Sequence, residues 1–299
     1  MANKLVKAFR NPNRAIQWLF SKCSKLWPAK IYLSILYKLR TGKKINWKQP
    51  QGFNEKLNWL KLCHRRDLYT QLADKYAVKA YVKQLIGEEY VVPTYGCYQR
   101  FEDINFDLLP DTFVLKATHD SSGAIVCKDK STFNITEVQK KYNQLLKRNW
   151  YWHLREWPYK HIKPRLLIDA CLDDHTGNTL RDYKFMCFNG EPKVMYCTVK
   201  DKYIFENFYD MDFQPLAISH GYDRHQPEFE KPAAFEKMKE LARILSAGIP
   251  FVRVDFFYVN GHIYFGEYTF YDWGGMKPII NKEWDIRLGD WLQLPEKDA

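Results

Sequence analysis

Apolar residues recur at helical spacing over residues 54–72, where Leu57, Leu60, Leu62 and Leu68 stand among polar positions. A second helix is predicted over 75–86, stopped by Gly87. The apolar run 90–93 reads as a strand entering a turn at Pro93, and 112–116 and 124–127 read as strands joined by the polar segment 117–123. Residues 135–148 are expected to be helical, 165–172 a buried strand, and 182–188 and 192–198 strands around the tight turn Asn189-Gly190. An amphipathic helix is predicted over 232–247, with Phe235, Met238, Leu241, Ile244 and Leu245 on one side. Short strands alternating with helices, without an internal repeat, predict an α+β or mixed α/β enzyme.

The last predicted hairpin, strands 252–259 and 262–269 around Asn260-Gly261, sets charged residues in apolar strands. A two-residue turn would put Asp255 opposite Gly266 and turn Glu267 to the other side of the sheet. A three-residue loop with Gly261 left-handed in a bulge would put Arg253 opposite Glu267. Arg253, Asp255, Glu267 and Thr269 then share one face. Two carboxylates there form a hard-oxygen site suited to Mg²⁺, and the arginine can hold an anion. A solvated face with a cross-strand ion pair is the structural alternative.

Charge changes the picture at one end. The formal net charge is +11 over 299 residues. Residues 1–50 carry 12 Lys or Arg and no Asp or Glu, so residues 51–299 are nearly neutral. Basic residues alternate with Ile16, Trp18, Leu19, Phe20, Leu26 and Trp27, then with Ile31, Leu33, Ile35 and Leu36. Such a segment suits an anionic membrane surface or an anionic glycan; an ordinary packed helix with a solvated basic face is the alternative. Nucleic acid is not expected, because no reading motif accompanies the charge. Seven scattered cysteines without a C-x-x-C pair argue against a zinc site or disulfide framework and for a reducing, cytoplasmic setting. No run of about 18 apolar residues occurs, so no spanning helix is expected, and no secretory signal is visible.

Three further features bear on chemistry. Lys116 ends a strand before Ser121, Ser122 and Gly123, an arrangement that can surround phosphate with backbone N–H groups and one cation; a surface turn is the alternative. Trp150, Tyr151, Trp152, Trp157 and Tyr159 suit sugar stacking or packing between subdomains. Asp210-Met211-Asp212 has a glycosyltransferase-like Asp-x-Asp form, or is simply a turn.

The order of several segments carries more than any one of them. Phe53-Asn54-Glu55-Lys56-Leu57, Asp74-Lys75-Tyr76-Ala77-Val78, Phe113-Val114-Leu115-Lys116, Asp182-Tyr183-Lys184-Phe185 and Cys187-Phe188-Asn189-Gly190 precede Arg253-Val254-Asp255 and Phe265-Gly266-Glu267-Tyr268-Thr269-Phe270. Over about residues 30–296 the chain resembles ATP-grasp proteins, in particular the TupA-like branch associated with teichuronopeptide and capsular polysaccharide synthesis. The resemblance implies an α+β ATP-grasp fold: a basic segment 1–50, then a catalytic unit 51–299 with parts at about 51–110, 111–175 and 176–299.

It also implies roles. Lys75 and Lys116 would touch ATP phosphate, and residues 117–123, including His119, Ser121, Ser122 and Gly123, would close over it. Asp169, Ala170, Cys171 and Leu172 would form the adenine-reading hinge, Asp182 would bind ribose, and Lys184 on the same strand face would approach the phosphates. Asp255, Glu267 and Thr269 would hold Mg²⁺, and Arg253 would steady an acylphosphate. Thr269 stands where relatives have Asn, Asp120 where they often have Gly, and Asp169 where they commonly have Glu. The implied reaction is ATP-dependent amide formation between a uronic acid carboxylate, on an anionic glycan or lipid-linked precursor, and an amino acid or small amine. A glycan kinase and a glycosyltransferase are the alternatives. The implied location is the cytoplasm, at the inner face of the membrane, with residues 1–50 as the contact.

Overall fold

The computed structural model describes residues 20–121, 124–175, 180–200 and 204–296. Ser122, Gly123 and residues 1–19 of the basic segment therefore lie outside the described residues.

Two antiparallel sheets organise the chain. The smaller has four strands in the order β1 (Thr94–Tyr98), β4 (Leu166–Ala170), β2 (Phe113–Ala117), β3 (Ile125–Cys127). Its alternating apolar residues, among them Phe113, Leu115 and Ile168, bury against Tyr142 and Leu145 of helix Ile135–Leu145. The larger has six strands in the order β10 (His262–Thr269), β9 (Phe251–Val259), β5 (Asp182–Phe188), β6 (Glu191–Lys200), β7 (Ile204–Tyr209), β8 (Pro215–Leu216). One face buries Phe185, Met195, Val254 and Phe256 together with Phe235, Met238 and Leu241 of helix Phe235–Ser246. The other face carries the charged residues.

Several expectations shift. The helix expected over 54–72 is two helices, α1 (Phe53–Cys63) and α2 (Asp67–Ala73), because His64 and Arg66 are extended at the break. The strand expected at 90–93 forms instead at Thr94–Tyr98, after a 3-10 turn at Glu88–Tyr90. The next helix, α3 (Ala77–Ile86), begins two residues after Lys75, with Asp74 accepting the N–H groups of Tyr76 and Ala77.

The first sequence segment of the family resemblance is explained by packing. From α1, Asn54 donates to the Lys277 carbonyl, Asn58 to Gly275 and Lys61 to Gly274. Glu55 accepts N–H groups of Asn46, Gln51 and Gly52, and Lys56 donates to the carbonyls of Gly289 and Leu292. Asn54, Asn58 and Lys61 fix the turn that follows β10, and Lys56 ties α1 to the end of helix Lys282–Trp291. The basic segment's helix, Ala29–Thr41, buries Tyr32, Leu33 and Leu36 beside Leu154 and Met276. Buried Arg155 donates to the carbonyls of Ser24 and Trp27 and lies over the rings of Tyr32 and Trp152. The described part of the basic segment is thus packed on the body, and these aromatics serve that packing.

Candidate functional site

The hairpin β9–β10 closes through a two-residue turn, with Asn260 and Gly261 both at positive φ (52° and 79°). The three-residue loop expected to align the carboxylates is absent. The alignment arises elsewhere. His262–Phe265 pair regularly with Phe256–Val259, but the register shifts between Phe265 and Glu267, leaving Gly266 as an extra residue. A Cβ at Gly266 would stand 3.1 Å from the Asp255 carbonyl oxygen, which is why glycine suits this bulge. Beyond it Glu267 lies opposite Asp255 and Thr269 opposite Arg253.

The neighbouring registers extend that row. Tyr196 pairs with Lys184, Lys184 with Asp255, and Asp255 with Glu267, so one line of side chains crosses four strands on one face. Arg253 places Nε and Nη2 each 2.7 Å from the two oxygens of Asp255, and Nη2 3.3 Å from Glu267. Lys184 Nζ lies 2.5 Å from Asp182 and 3.8 Å from Asp255. Thr269 Oγ1 donates to Glu267 at 3.2 Å. Burial raises the pKa of Asp255, with Arg253 and Lys184 opposing it. Glu267 keeps 37% of its side chain exposed; against the cost of desolvation, Lys75 and Arg253 hold its carboxyl down at about 2. It is an anion throughout the physiological range.

Lys75 reaches this face from the other sheet's side. Its Nζ is 3.1 Å from Glu267, while its backbone N–H donates to the carbonyl of Thr118, just after β2. Lys116 is held 3.0 Å from Asp169, whose other oxygen lies 2.5 Å from Lys79. Lys79, on α3, was not anticipated as a site residue, because its partner comes from a distant strand. Burial pushes its pKa down and Asp169 opposes that shift. Ala170, Cys171 and Leu172 follow Asp169 at the end of β4.

His119 does not join the group. It is buried, with Nε2 3.0 Å from the Leu145 carbonyl, and belongs to the smaller sheet's packing. Burial holds its pKa down, which suits a neutral structural ring. Ser121 is exposed. Asp210 and Asp212 form a turn in which Asp210 accepts the N–H groups of Asp212 and Gln214.

The donor set can be tested against Mg²⁺. Asp255 and Glu267 offer two facing carboxylates, with the Thr269 hydroxyl beside them. Mg²⁺ is commonly held by one or two carboxylates, with substrate phosphate and water completing six positions. The oxygens fit that requirement, and a cage of three or more His, Cys, Asp or Glu is neither needed nor found among the described residues.

The sequence suggests Tyr271-Asp272-Trp273-Gly274-Gly275 as an acceptor-side wall, but gives no sign that Asp272, His220 and Glu206 stand behind Arg253. Asp272, in the 3-10 turn Asp272–Gly275, accepts from Arg253 Nη1 at 2.6 Å and from the Tyr196 hydroxyl at 2.8 Å. Its second oxygen lies 3.4 Å from His220 Nε2, and His220 Nδ1 lies 3.1 Å from Glu206. Against burial, the two carboxylates raise His220 to about 9, so the ring carries a proton at neutral pH.

No helix among the described residues is long and apolar enough to cross a membrane. Searching curated protein sequences gives no match. Among solved structures, D-alanine–D-alanine ligase from Bacillus anthracis complexed with ATP is similar at 14% identity and TM-score 0.41; the alignment covers 74% of this chain and 63% of that one. The Helicobacter pylori D-alanine–D-alanine ligase is similar at 17% identity and TM-score 0.44, covering 82% and 70%. The ATP-grasp ligase PsnB with a minimal precursor is similar at 10% identity and TM-score 0.41, covering 75% and 60%. The chain thus spans less than two thirds of the first of these ligases. The profile of the TupA-like ATPgrasp family matches residues 55–293, which include both sheets and every residue placed above from Lys75 to Asp272; the chain belongs to that family.

Proposed function

We propose that this protein is an ATP-dependent carboxylate–amine ligase acting on a uronic acid of a cell-surface polysaccharide or its lipid-linked precursor. The observation that carries the reading is Arg253, a guanidinium fixed beside two facing carboxylates and within one site of Lys75. Family membership supports ATP as the energy source, and the oxygen donors fit Mg²⁺.

In this reading Lys75 and Lys116 leave Glu267 and Asp169 to meet phosphate oxygens, and Asp182 with the 169–172 segment holds the nucleoside. Bound Mg²⁺, held by Asp255, Glu267 and Thr269, would supply charge neutralisation for the phosphates. The substrate carboxylate oxygen attacks the γ-phosphorus, the bond to the β-phosphate oxygen breaks, and ADP departs. Arg253 and Lys184 hold the acylphosphate oxygens by fixed positive charge. The amine nitrogen then attacks the carbonyl carbon, phosphate leaves, and the amine's surplus proton passes to solvent. Activation is required because a carboxylate does not acylate an amine at neutral pH.

The partners are an anionic glycan and an amino acid or small amine, met at the cytoplasmic face of the membrane. Exposed Lys22, Lys25 and Lys30 beside exposed Leu26, Trp27 and Ile31 support such a contact.

The test is incubation with ATP, uronic-acid glycans and a panel of amines, read by mass spectrometry, with hydroxylamine as a trap. An acylphosphate gives a hydroxamate. ADP release with phosphate retained on a sugar hydroxyl, and no hydroxamate, would overturn the ligase reading in favour of a kinase.

A further inference from the structure

Arg253 is gripped from two sides. In front are the two oxygens of Asp255 and one of Glu267. Behind, Nη1 donates to Asp272 at 2.6 Å and to the Tyr196 hydroxyl at 3.0 Å, and that hydroxyl donates to the same Asp272 oxygen. The front grip uses the carboxylates assigned above to Mg²⁺, and a cation taking those oxygens competes with the guanidinium for them. The rear grip uses a carboxylate from the turn after β10, separate from the two assigned to Mg²⁺.

Asp272 is itself braced. It is 1% exposed, and its second oxygen meets His220, which meets Glu206. The rings of Tyr196, Phe208 and Trp273 pack around the imidazole, which is 3% exposed. The backbone that follows is tied to α1 by Lys61 at Gly274 and Asn58 at Gly275. A buried carboxylate shared with a single arginine has one anchor; with an imidazole on its second oxygen it cannot rotate without breaking both contacts. Glu206 and Tyr196 stand on adjacent strands of the site-bearing face, where Glu206 pairs with Thr198 and Tyr196 with Phe208.

We propose that Asp272, braced by His220 and Glu206, is a positioning residue that keeps Arg253 in place when Asp255 is engaged by another cation. The proposal deepens the ligase reading and rests on it for the role of Arg253.

The experiment uses the full chain with Asp272→Asn and Glu206→Gln, the latter three contacts removed from Arg253 and therefore the gentler change. Residues that support a ligand at one remove commonly alter its performance by about 10–100-fold, and kcat is expected to fall in that range in both variants. KM for ATP and calorimetric affinity for Mg·ADP should stay unchanged, because neither variant touches the nucleotide groups. Unchanged kcat in both variants, or ATP affinity falling in step with kcat, would overturn the proposal. A second reading is independent of turnover: the ¹⁵N-edited Nε–H signal of Arg253, assigned with Arg253→Lys, during a Mg²⁺ titration. It should stay sharp in the native protein and broaden in Glu206→Gln; equal sharpness in both overturns the proposal. If the native protein makes no hydroxamate with any carboxylate, the ligase reading fails, while the Nε–H signal still decides whether Asp272 anchors Arg253.

Discussion

The two sheets carry opposite charge economies. On the smaller, two ammonium groups, Lys79 and Lys116, share one buried carboxylate, Asp169. On the larger and its flanking turn, Asp182, Glu206, Asp255, Glu267 and Asp272 are matched by Lys184, Arg253, His220 and Lys75. The first arrangement leaves positive charge unspent, which suits a polyanion. The second is close to balance and rich in oxygen, which suits a divalent cation. Lys75 belongs to both: its backbone is bonded beside the smaller sheet and its ammonium to the larger. Under the proposed ligase reading, the difference would let one site take Mg²⁺ and triphosphate together without either region being strongly charged alone.

That contrast can be broken from either side. The largest effect is expected from Glu267→Ala, which removes one of the two facing carboxylates proposed to hold Mg²⁺. ATP turnover should fall on the order of 10³-fold, the scale found when a preorganised transition-state contact is deleted. Steady-state ADP release checks it, and full retained turnover would refute the oxygen side of the comparison. Asp169→Asn attacks the cationic side by leaving Lys79 and Lys116 facing each other across a neutral amide. Breaking a buried ion pair in this way costs about 3–5 kcal/mol. Urea unfolding should show the loss, and added tripolyphosphate should restore more stability to the variant than to the native protein. An equal response in both would mean that the lysines are not an anion site.

His220 sharpens the oxygen-rich side. Its pKa is raised in the fold to about 9 from the ordinary 6.5. The stabilisation is therefore complete below about pH 6.5 and is lost as pH rises towards 9, with a span of about 3 kcal/mol. Unfolding free energies measured across that window should decline, and His220→Gln should remove the decline. A flat native profile would show that the imidazole is not held between two charged carboxylates. The smallest effect concerns neither sheet. Replacing Lys22, Lys25 and Lys30 with Ser should weaken sedimentation with anionic vesicles, by about 1 kcal/mol per lysine at the surface, and leave ATP turnover intact. Unchanged vesicle binding would remove the membrane contact, and loss of turnover would show that the basic segment serves the site directly.

Much of the site was legible because strand periodicity is local. Alternation along 252–259 and 262–269 was enough to identify the strands and the charged face of β9. The register across the hairpin was legible only in outcome. The loop at Asn260-Gly261 was misread, and the shift came from Gly266, an isolated glycine inside a strand pattern, which is the usual mark of a bulge. Lys79 and Asp272 were not legible for a different reason. Each gains its meaning from a partner far along the chain, Asp169 or Arg253, and no spacing rule connects them. β7, with Glu206, escaped because its sequence Ile204-Phe205-Glu206-Asn207-Phe208-Tyr209 does not alternate cleanly. His119 was legible as a histidine near the expected phosphate loop, but its ring turns inward to Leu145.

The bulge at Gly266 has a consequence for length variation. Residues before it pair with β9 in one register and residues after it in the next, so the ladder on both sides is already complete without it. Excising residue 266 would join the two halves into a continuous ladder in which Glu267 still meets Asp255. Exchanging it for a β-branched residue would instead press a side chain against the Asp255 carbonyl, and entry of that residue into the ladder would turn Glu267 to the opposite surface. At this position a one-codon deletion is the conservative mutation and a substitution the radical one, the reverse of the ordering that holds along most strands.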